Sequence, residues 1–298
     1  YFKTADQLRN INLIEFAKQT LTKEDVEFLE GSFGYYTELI IMNAYDAIYL
    51  IVEHLSTKHQ FYSMNGGLTQ IITEIKTRIK THENTHIINN RTISQIHYNK
   101  QSKIYTIDCS NVQTKYQTHI CICALPKQIL EKIKIFKPIK SLLNKIECSP
   151  LCRIYSKFPL NKETNEVWFK NLPKFTTNNK LRIVIPIDTE NGVIMSSYSD
   201  NKYAKYWKQL NEKGEQSLNK ELIKLLREST GRDVPMPIKT FIYYWDCGVG
   251  YWGIGANSET ISNEIIQPNR NESLFICGEH YSHQNQQWME GALETSNI

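Results

Sequence analysis

The residues with most to say about chemistry stand near the end of the chain. Ser273-Leu-Phe-Ile-Cys-Gly-Glu279 reads as a short apolar strand ending in a carboxylate. Gln287-Trp-Met-Glu-Gly-Ala-Leu-Glu-Thr295 reads as a helix that opens on Trp288 and Met289. A helix N-terminus offers free N–H groups and partial positive charge, which suits an electron-rich ligand edge. Gly291 and Ala292 carry little side chain and let another group approach that helix. Glu279 is placed to accept hydrogen bonds from sugar-like hydroxyls, with an N-cap or solvent-facing role as the alternative. His280 and His283 beside it raise the question of a metal, but no further ligands follow at suitable spacing, so none is expected. Gly248-Val-Gly250-Tyr-Trp-Gly253 matches the G-x-G-x-x-G pattern after a strand-like run, the outline of a dinucleotide turn. Against it, Tyr251 and Trp252 would crowd a pyrophosphate, and Gly255, Asn257 and Ser258 start a helix poorly.

The order of strand, Gly278-Glu279, polar loop and Trp288-Met-Glu-Gly-Ala292 resembles the C-terminal FAD-binding stretch of the flavin-containing amine oxidases, the monoamine and polyamine oxidase group. The resemblance implies FAD contacts at Gly278, Glu279, Trp288 and Met289. It also implies a backbone contact to the adenine end at Ile93, with Thr92 the close alternative. Trp252 and Trp288 would form an aromatic cage, whose faces wall off water yet tolerate a cationic nitrogen. Packing of both indoles into a core is the competing reading. Arg153, in Pro150-Leu-Cys-Arg153-Ile-Tyr155, stands where the family commonly has a lysine near the flavin N5. Arginine keeps the charge and a water-anchoring donor but removes a proton acceptor; a surface-facing strand arginine is the alternative. The residue before Trp252 is Tyr251 rather than the flavin-attaching cysteine of covalent members, and Cys247 is out of register. Non-covalent FAD is therefore expected. The implied reaction is oxidation of a small-molecule amine by hydride transfer to FAD, with O2 reoxidising the flavin. An amino-acid oxidase or desaturase of the same superfamily is an alternative, with Arg153 or Arg182 meeting a carboxylate; so is a degenerate flavoprotein serving as a binding module. The family's N-terminal G-x-G-x-x-G unit and Gly-Gly-Arg segment do not occur in the sequence. The chain begins at Tyr1 rather than Met and stops inside its last helix at Ile298, so it reads as a fragment.

These residues need a scaffold of two interleaved α/β units. An incomplete, Rossmann-like FAD-binding domain is expected from residues 61–135 and 241–298. A substrate domain of mixed sheet and helices is expected from residues 136–240, with residues 1–60 as its helical part. Apolar periodicity predicts helices over 4–30, 38–55, 68–79, 204–210 and 217–228, with Gly231 as a stop. Short β-rich runs predict strands at 86–88, 92–98, 104–108, 114–120, 151–158, 181–187, 192–198 and 238–245. Residues 120–124 form a continuous apolar run that suits the centre of a sheet. The 298 residues are 41% hydrophobic and 22% charged, with a net charge of +4 and no basic stripe, which argues against nucleic-acid binding. No apolar run approaches the roughly 20 residues of a membrane span, and no signal peptide is visible. Seven cysteines lie mostly in apolar runs such as Cys121-Ile-Cys123, which suggests reduced, buried thiols in a cytoplasmic setting.

Overall fold

The computed structural model describes residues 4–54, 62 and 64–297. Polar side chains cut the first predicted helix into three pieces. Thr4, Asn12 and Thr22 accept backbone N–H bonds from Gln7, Glu15 and Asp25, capping α1 (Ala5–Arg9), α2 (Leu13–Thr20) and α3 (Lys23–Ser32). The next predicted helix is also divided, into α4 (Tyr36–Ile40) and α5 (Ala44–His54). Asn43 causes the break: its backbone N–H and its amide both turn aside to the Trp252 carbonyl. Leu55, the predicted end of that helix, lies outside the described residues. Gly66 and Gly67, both at positive φ, lead into α6 (Thr69–Lys80), which is amphipathic as read but buries none of its residues.

β1 (Ile93–Asn99), β2 (Ile104–Cys109) and β3 (Tyr116–Thr118) form an antiparallel sheet in that order. Residues 86–88 are not a strand. β4 (Cys121–Cys123) pairs in parallel with β10 (Leu274–Ile276) alone, not at a sheet centre. Alternation explains the outcome: Cys121 and Cys123 face the core, while Ile120 and Ile122 face outward and are exposed. The core beneath holds Tyr105, Leu130, Phe136, Leu143, Ile146 and Trp252. Short helices α7 (Lys127–Leu130) and α8 (Lys140–Leu143) and the later α11 (Ser258–Ile266) close over it. Residues 136–146 thus pack with the segment before them, which moves the first boundary about ten residues past 135.

β5 (Ile146–Lys157), β6 (Phe175–Thr176), β7 (Ile183–Asp188), β8 (Val193–Asp200) and β9 (Lys239–Trp252) make the second sheet, in the order β6-β7-β8-β5-β9. Every pairing in it is antiparallel, which corrects the expected mixed sheet. α9 (Asn201–Glu212) and α10 (Glu215–Thr230) cover one face, packing Trp207, Leu222 and Leu226 on Cys152, Ile154 and Ile194. Gly231 ends α10 at φ 66°. On the other face Leu13, Leu39 and Met42 of the N-terminal helical segment pack against Tyr251. The described chain ends in α12 (Met289–Ser296). No helix among the described residues is long and apolar enough to cross a membrane.

Candidate functional site

A cavity of about 350 Å³ lies where β5, β8 and β9 meet α4, α5 and the start of α12. Register builds its walls. Leu151 and Arg153 on β5 stand opposite Asp200 and Tyr198 on β8, so all four share one face of the sheet. Cys152 and Ile154, the alternating residues, face α9 and α10 instead. β9 adds Val249 and Tyr251, the α4 region adds Tyr35 and Glu38, and the approach to α12 adds Gln287, Trp288 and Met289.

Among the described residues the cavity is lined by one cation and two acids. The Arg153 guanidinium lies 4.6 Å from the centroid of the Tyr198 ring, and Tyr35 meets Tyr198 edge-on at 5.6 Å. Arg153 Nε is buried and has no hydrogen-bond partner among the described residues. Glu38 is only 3% exposed, and its Oε2 likewise has no partner among the described residues. Asp200 is better supplied: Oδ1 accepts the Tyr36 N–H at 3.1 Å and Oδ2 the Thr37 N–H at 2.7 Å. Burial first, then the charge of Asp200, holds the Glu38 carboxyl well above the usual range. Burial also raises Asp200, although the Thr37 and Tyr36 donors pull the other way. The pair therefore keeps a proton where ordinary carboxyls have lost theirs. Burial, then the charges of Glu38 and Asp200, pushes the Tyr251 phenol far up, so it stays neutral.

Of the residues singled out in the sequence, Arg153, Trp288 and Met289 meet in this cavity. Trp252 does not. Its ring is fully buried in the β1–β3 core, and its Nε1 donates to the Ser282 carbonyl at 2.9 Å. Strand alternation turns Trp252 to the opposite face of β9, so the cavity aromatic is its neighbour Tyr251 and the residue before it is Gly250. The expected Trp252–Trp288 cage is not formed.

Glu279 is also placed otherwise than expected. Its Oε1 accepts the Gly250 N–H at 3.3 Å and its Oε2 accepts the Gln287 N–H at 2.8 Å. The carboxylate fastens Gln287, held at φ 76°, and so fixes the approach to Trp288 instead of facing a sugar. The Gly278 N–H donates to Thr295 Oγ1 at 2.9 Å. Ile93 pairs with Cys109 and packs on the β1–β3 core, outside the cavity wall. Gly291 serves its own loop, since a Cβ there would fall 2.3 Å from the Asn285 carbonyl oxygen. Arg182 is fully buried, and its guanidinium donates to the carbonyls of Glu30, Gly31, Phe33 and Thr177. It is not free to meet a ligand carboxylate. Gly248 and Gly250 lie inside β9, which removes the dinucleotide-turn reading.

The two histidines are engaged separately. His280 Nδ1 accepts the Lys127 N–H at 3.2 Å, and His283 Nδ1 lies 2.9 Å from Ser258 Oγ. Cys148 and Cys247 are joined in a disulfide, which corrects the expectation of thiols throughout. Cys121, Cys123, Cys152 and Cys277 are buried thiols, and Cys109 is a half-buried one. Glu38 and Asp200 escaped the sequence reading. The one signal was at Glu38, a carboxylate heading the apolar run Leu39-Ile-Ile-Met42; Asp200 gave none. No protein-family model matches the chain, and no curated protein matches it.

Proposed function

We propose that the chain carries the substrate site of a flavin-dependent oxidoreductase of the amine oxidase type, with O2 as the final acceptor. One observation supports this above others: Trp288, Met289, Tyr251 and Arg153 converge with the carboxyl pair Glu38 and Asp200 on a single aromatic-walled cavity. Bound FAD would supply the hydride acceptor. Gly278, Trp288 and Met289 are the residues that would hold it. Gly278, at φ 144°, stands just past the carboxyl end of β10, where parallel strands bind ligands; its N–H and carbonyl are engaged by Thr295 and Tyr281, so it would offer the close approach that a missing Cβ allows. Met289 is 65% exposed at the cavity rim. A phosphate-cradling glycine turn between strand and helix is not found among the described residues.

The chain's own groups then divide the work. The rings of Tyr35, Tyr198, Tyr251 and Trp288 exclude water and accept an amine against their faces. An arriving ammonium is drawn to Glu38 and Asp200, and the ionised member of the pair, made basic by burial, takes its proton. That leaves the neutral amine that hydride loss requires. Arg153 cannot take this proton, because guanidinium stays charged; it supplies fixed positive charge and donors. In the test, the chain is mixed with FAD, passed through gel filtration and examined for retained flavin, then for peroxide release with monoamines, diamines and amino acids. Retained flavin, bleached by amines and reoxidised in air, is the expected result. A chain that holds neither flavin nor amine overturns the reading. The unpartnered Arg153 Nε favours one second reading, a substrate bearing a carboxylate. Turnover of amino acids but not simple amines, lost in Arg153→Gln, selects it.

A further inference from the structure

We infer that Cys148 and Cys247 form a thiol–disulfide exchange site that accepts two electrons from a small dithiol, with Cys247 as the leaving thiolate. The inference stands apart from the amine reading. The cross-link spans an irregularity between β5 and β9: Ser149 pairs with Val249 and Leu151 with Trp245, so Asp246, Cys247 and Gly248 stand opposite Pro150 alone. Both sulfur-bearing residues are half-buried, whereas Cys121, Cys123, Cys152 and Cys277 are shielded in the cores. This disulfide is therefore within reach of a thiol from solution.

His280 gives the pair its polarity. Because Nδ1 accepts the Lys127 N–H, the neutral ring carries its proton on Nε2. That N–H donates to Glu279 Oε1 at 3.0 Å, and Cys247 Sγ lies 4.0 Å from the same nitrogen. A negative charge released on Cys247 meets this donor at 4.0 Å, whereas Cys148 Sγ, within 4.8 Å of the ring, makes no hydrogen-bond contact with it among the described residues. The ligand atoms of Cys148, Cys247 and His280 lie within 4.8 Å of one another, close enough to suggest a metal site. A metal on Nε2 would require the ring proton on Nδ1, facing the Lys127 N–H, so exchange chemistry fits the ring better.

The step balances without another reactant. One thiolate of the dithiol attacks Cys148 Sγ, the sulfur–sulfur bond breaks, and its electron pair leaves on Cys247. The dithiol's second sulfur gives up its proton and attacks the mixed disulfide. A cyclic disulfide departs, and Cys148 takes up a proton as a thiol. The dithiol has lost two electrons and the protein cross-link has gained them. The cross-link also adjoins the cavity: Gly250, the partner of Cys148, is bonded to Glu279, which holds Gln287, and Leu151 and Val249 flank the cross-link.

The whole chain is equilibrated in mixtures of reduced and oxidised dithiothreitol, quenched in acid, and its thiols are tagged and counted by mass. Cys148 and Cys247 are expected to open together in one two-electron step. Brief alkylation of the reduced, folded chain is expected to mark Cys247 at least about tenfold faster than Cys148. His280→Ala brings the two rates together. Equal wild-type rates, a faster Cys148, or two thiols already free in fully oxidising mixtures overturn the assignment. The wild-type ratio decides on its own should the buried His280 prove necessary for folding.

Discussion

A carboxyl as deeply buried as Glu38, with one oxygen lacking any donor, is tolerable only while it is neutral. That gives the protein a definite response to pH. Burial, then Asp200, raises Glu38, and burial raises Asp200, so the native chain binds more protons than the unfolded chain above the ordinary carboxyl range. The stability these groups contribute is complete below that range and is lost as pH rises through their raised native values. The slope is bounded at about 1.4 kcal/mol per pH unit for each group. Glu38→Gln cannot ionise and should remove its share. Urea midpoints measured from about pH 5 to about pH 8 should fall more steeply for wild type than for the variant, and the variant should be the more stable at the upper end. Parallel curves would mean that water reaches Glu38. At this scale the sequence was informative where a motif fixed a helix start, as at Trp288 and Met289. It was silent on the pairing of Glu38 with Asp200, which are 162 residues apart and meet only through the register of β8 and the docking of α4.

Elements were legible in proportion to how locally they are determined. Caps at Thr4, Asn12 and Thr22 can be read from the sequence, although their effect here is to stop helices as well as start them. The strand runs at 151–158 and 192–198 fall on β5 and β8, although β5 begins earlier, at Ile146. At Tyr251-Trp252 period-two alternation leaves two aromatics on opposite faces, and nothing local says which face meets the cavity. Only the pairing of Glu147 with Tyr251 and of Ile146 with Trp252 decides it. Residues 120–124 were misjudged for a related reason: apolar residues on both faces imply cover on both, yet Ile122 is 62% exposed. The start of α12 offers a test at this scale. Gly291 lies in the first turn of the helix, with the Asn285 carbonyl oxygen where its Cβ would be, and Glu294 binds Ser282, His283 and Asn285 of the same loop. A backbone atom cannot swing away as a side chain can. Gly291→Ala should therefore cost about 1–3 kcal/mol and displace Trp288. Thermal unfolding measures the first effect, and tryptophan fluorescence, followed for loss of response to a bound amine, measures the second. Ala292→Gly nearby should cost about 1 kcal/mol, from helix propensity alone.

The whole molecule has two large cores, but the same two strands run through both. Ile146 and Trp252, at paired ends of β5 and β9, belong to the core beneath β1–β3. Cys152 and Ile154 of β5, with Ile242 and Tyr244 of β9, belong to the core beneath α9 and α10. The cavity lies along the opposite face of these strands, so its strand-built wall cannot part without breaking the ladder that joins the cores. This couples the folding of units that the sequence suggested as distinct domains. Heating should give one cooperative transition, with calorimetric and van't Hoff enthalpies in agreement. Trp252→Ala, in one core, should cost about 3–5 kcal/mol, and Leu222→Ala, in the other, about 2–5 kcal/mol. Each should lower the midpoint seen by far-ultraviolet dichroism and by aromatic signals together. Two resolved transitions, each moved by only one substitution, would show that the shared strands do not transmit stability. α6 stands outside this unit, since a twelve-residue helix that buries none of its residues has little beyond its own hydrogen bonds to hold it. Its amides should exchange with solvent far faster than those of β5, and Ile72→Lys, at a side chain 65% exposed, should leave the midpoint within about 0.5 kcal/mol of wild type.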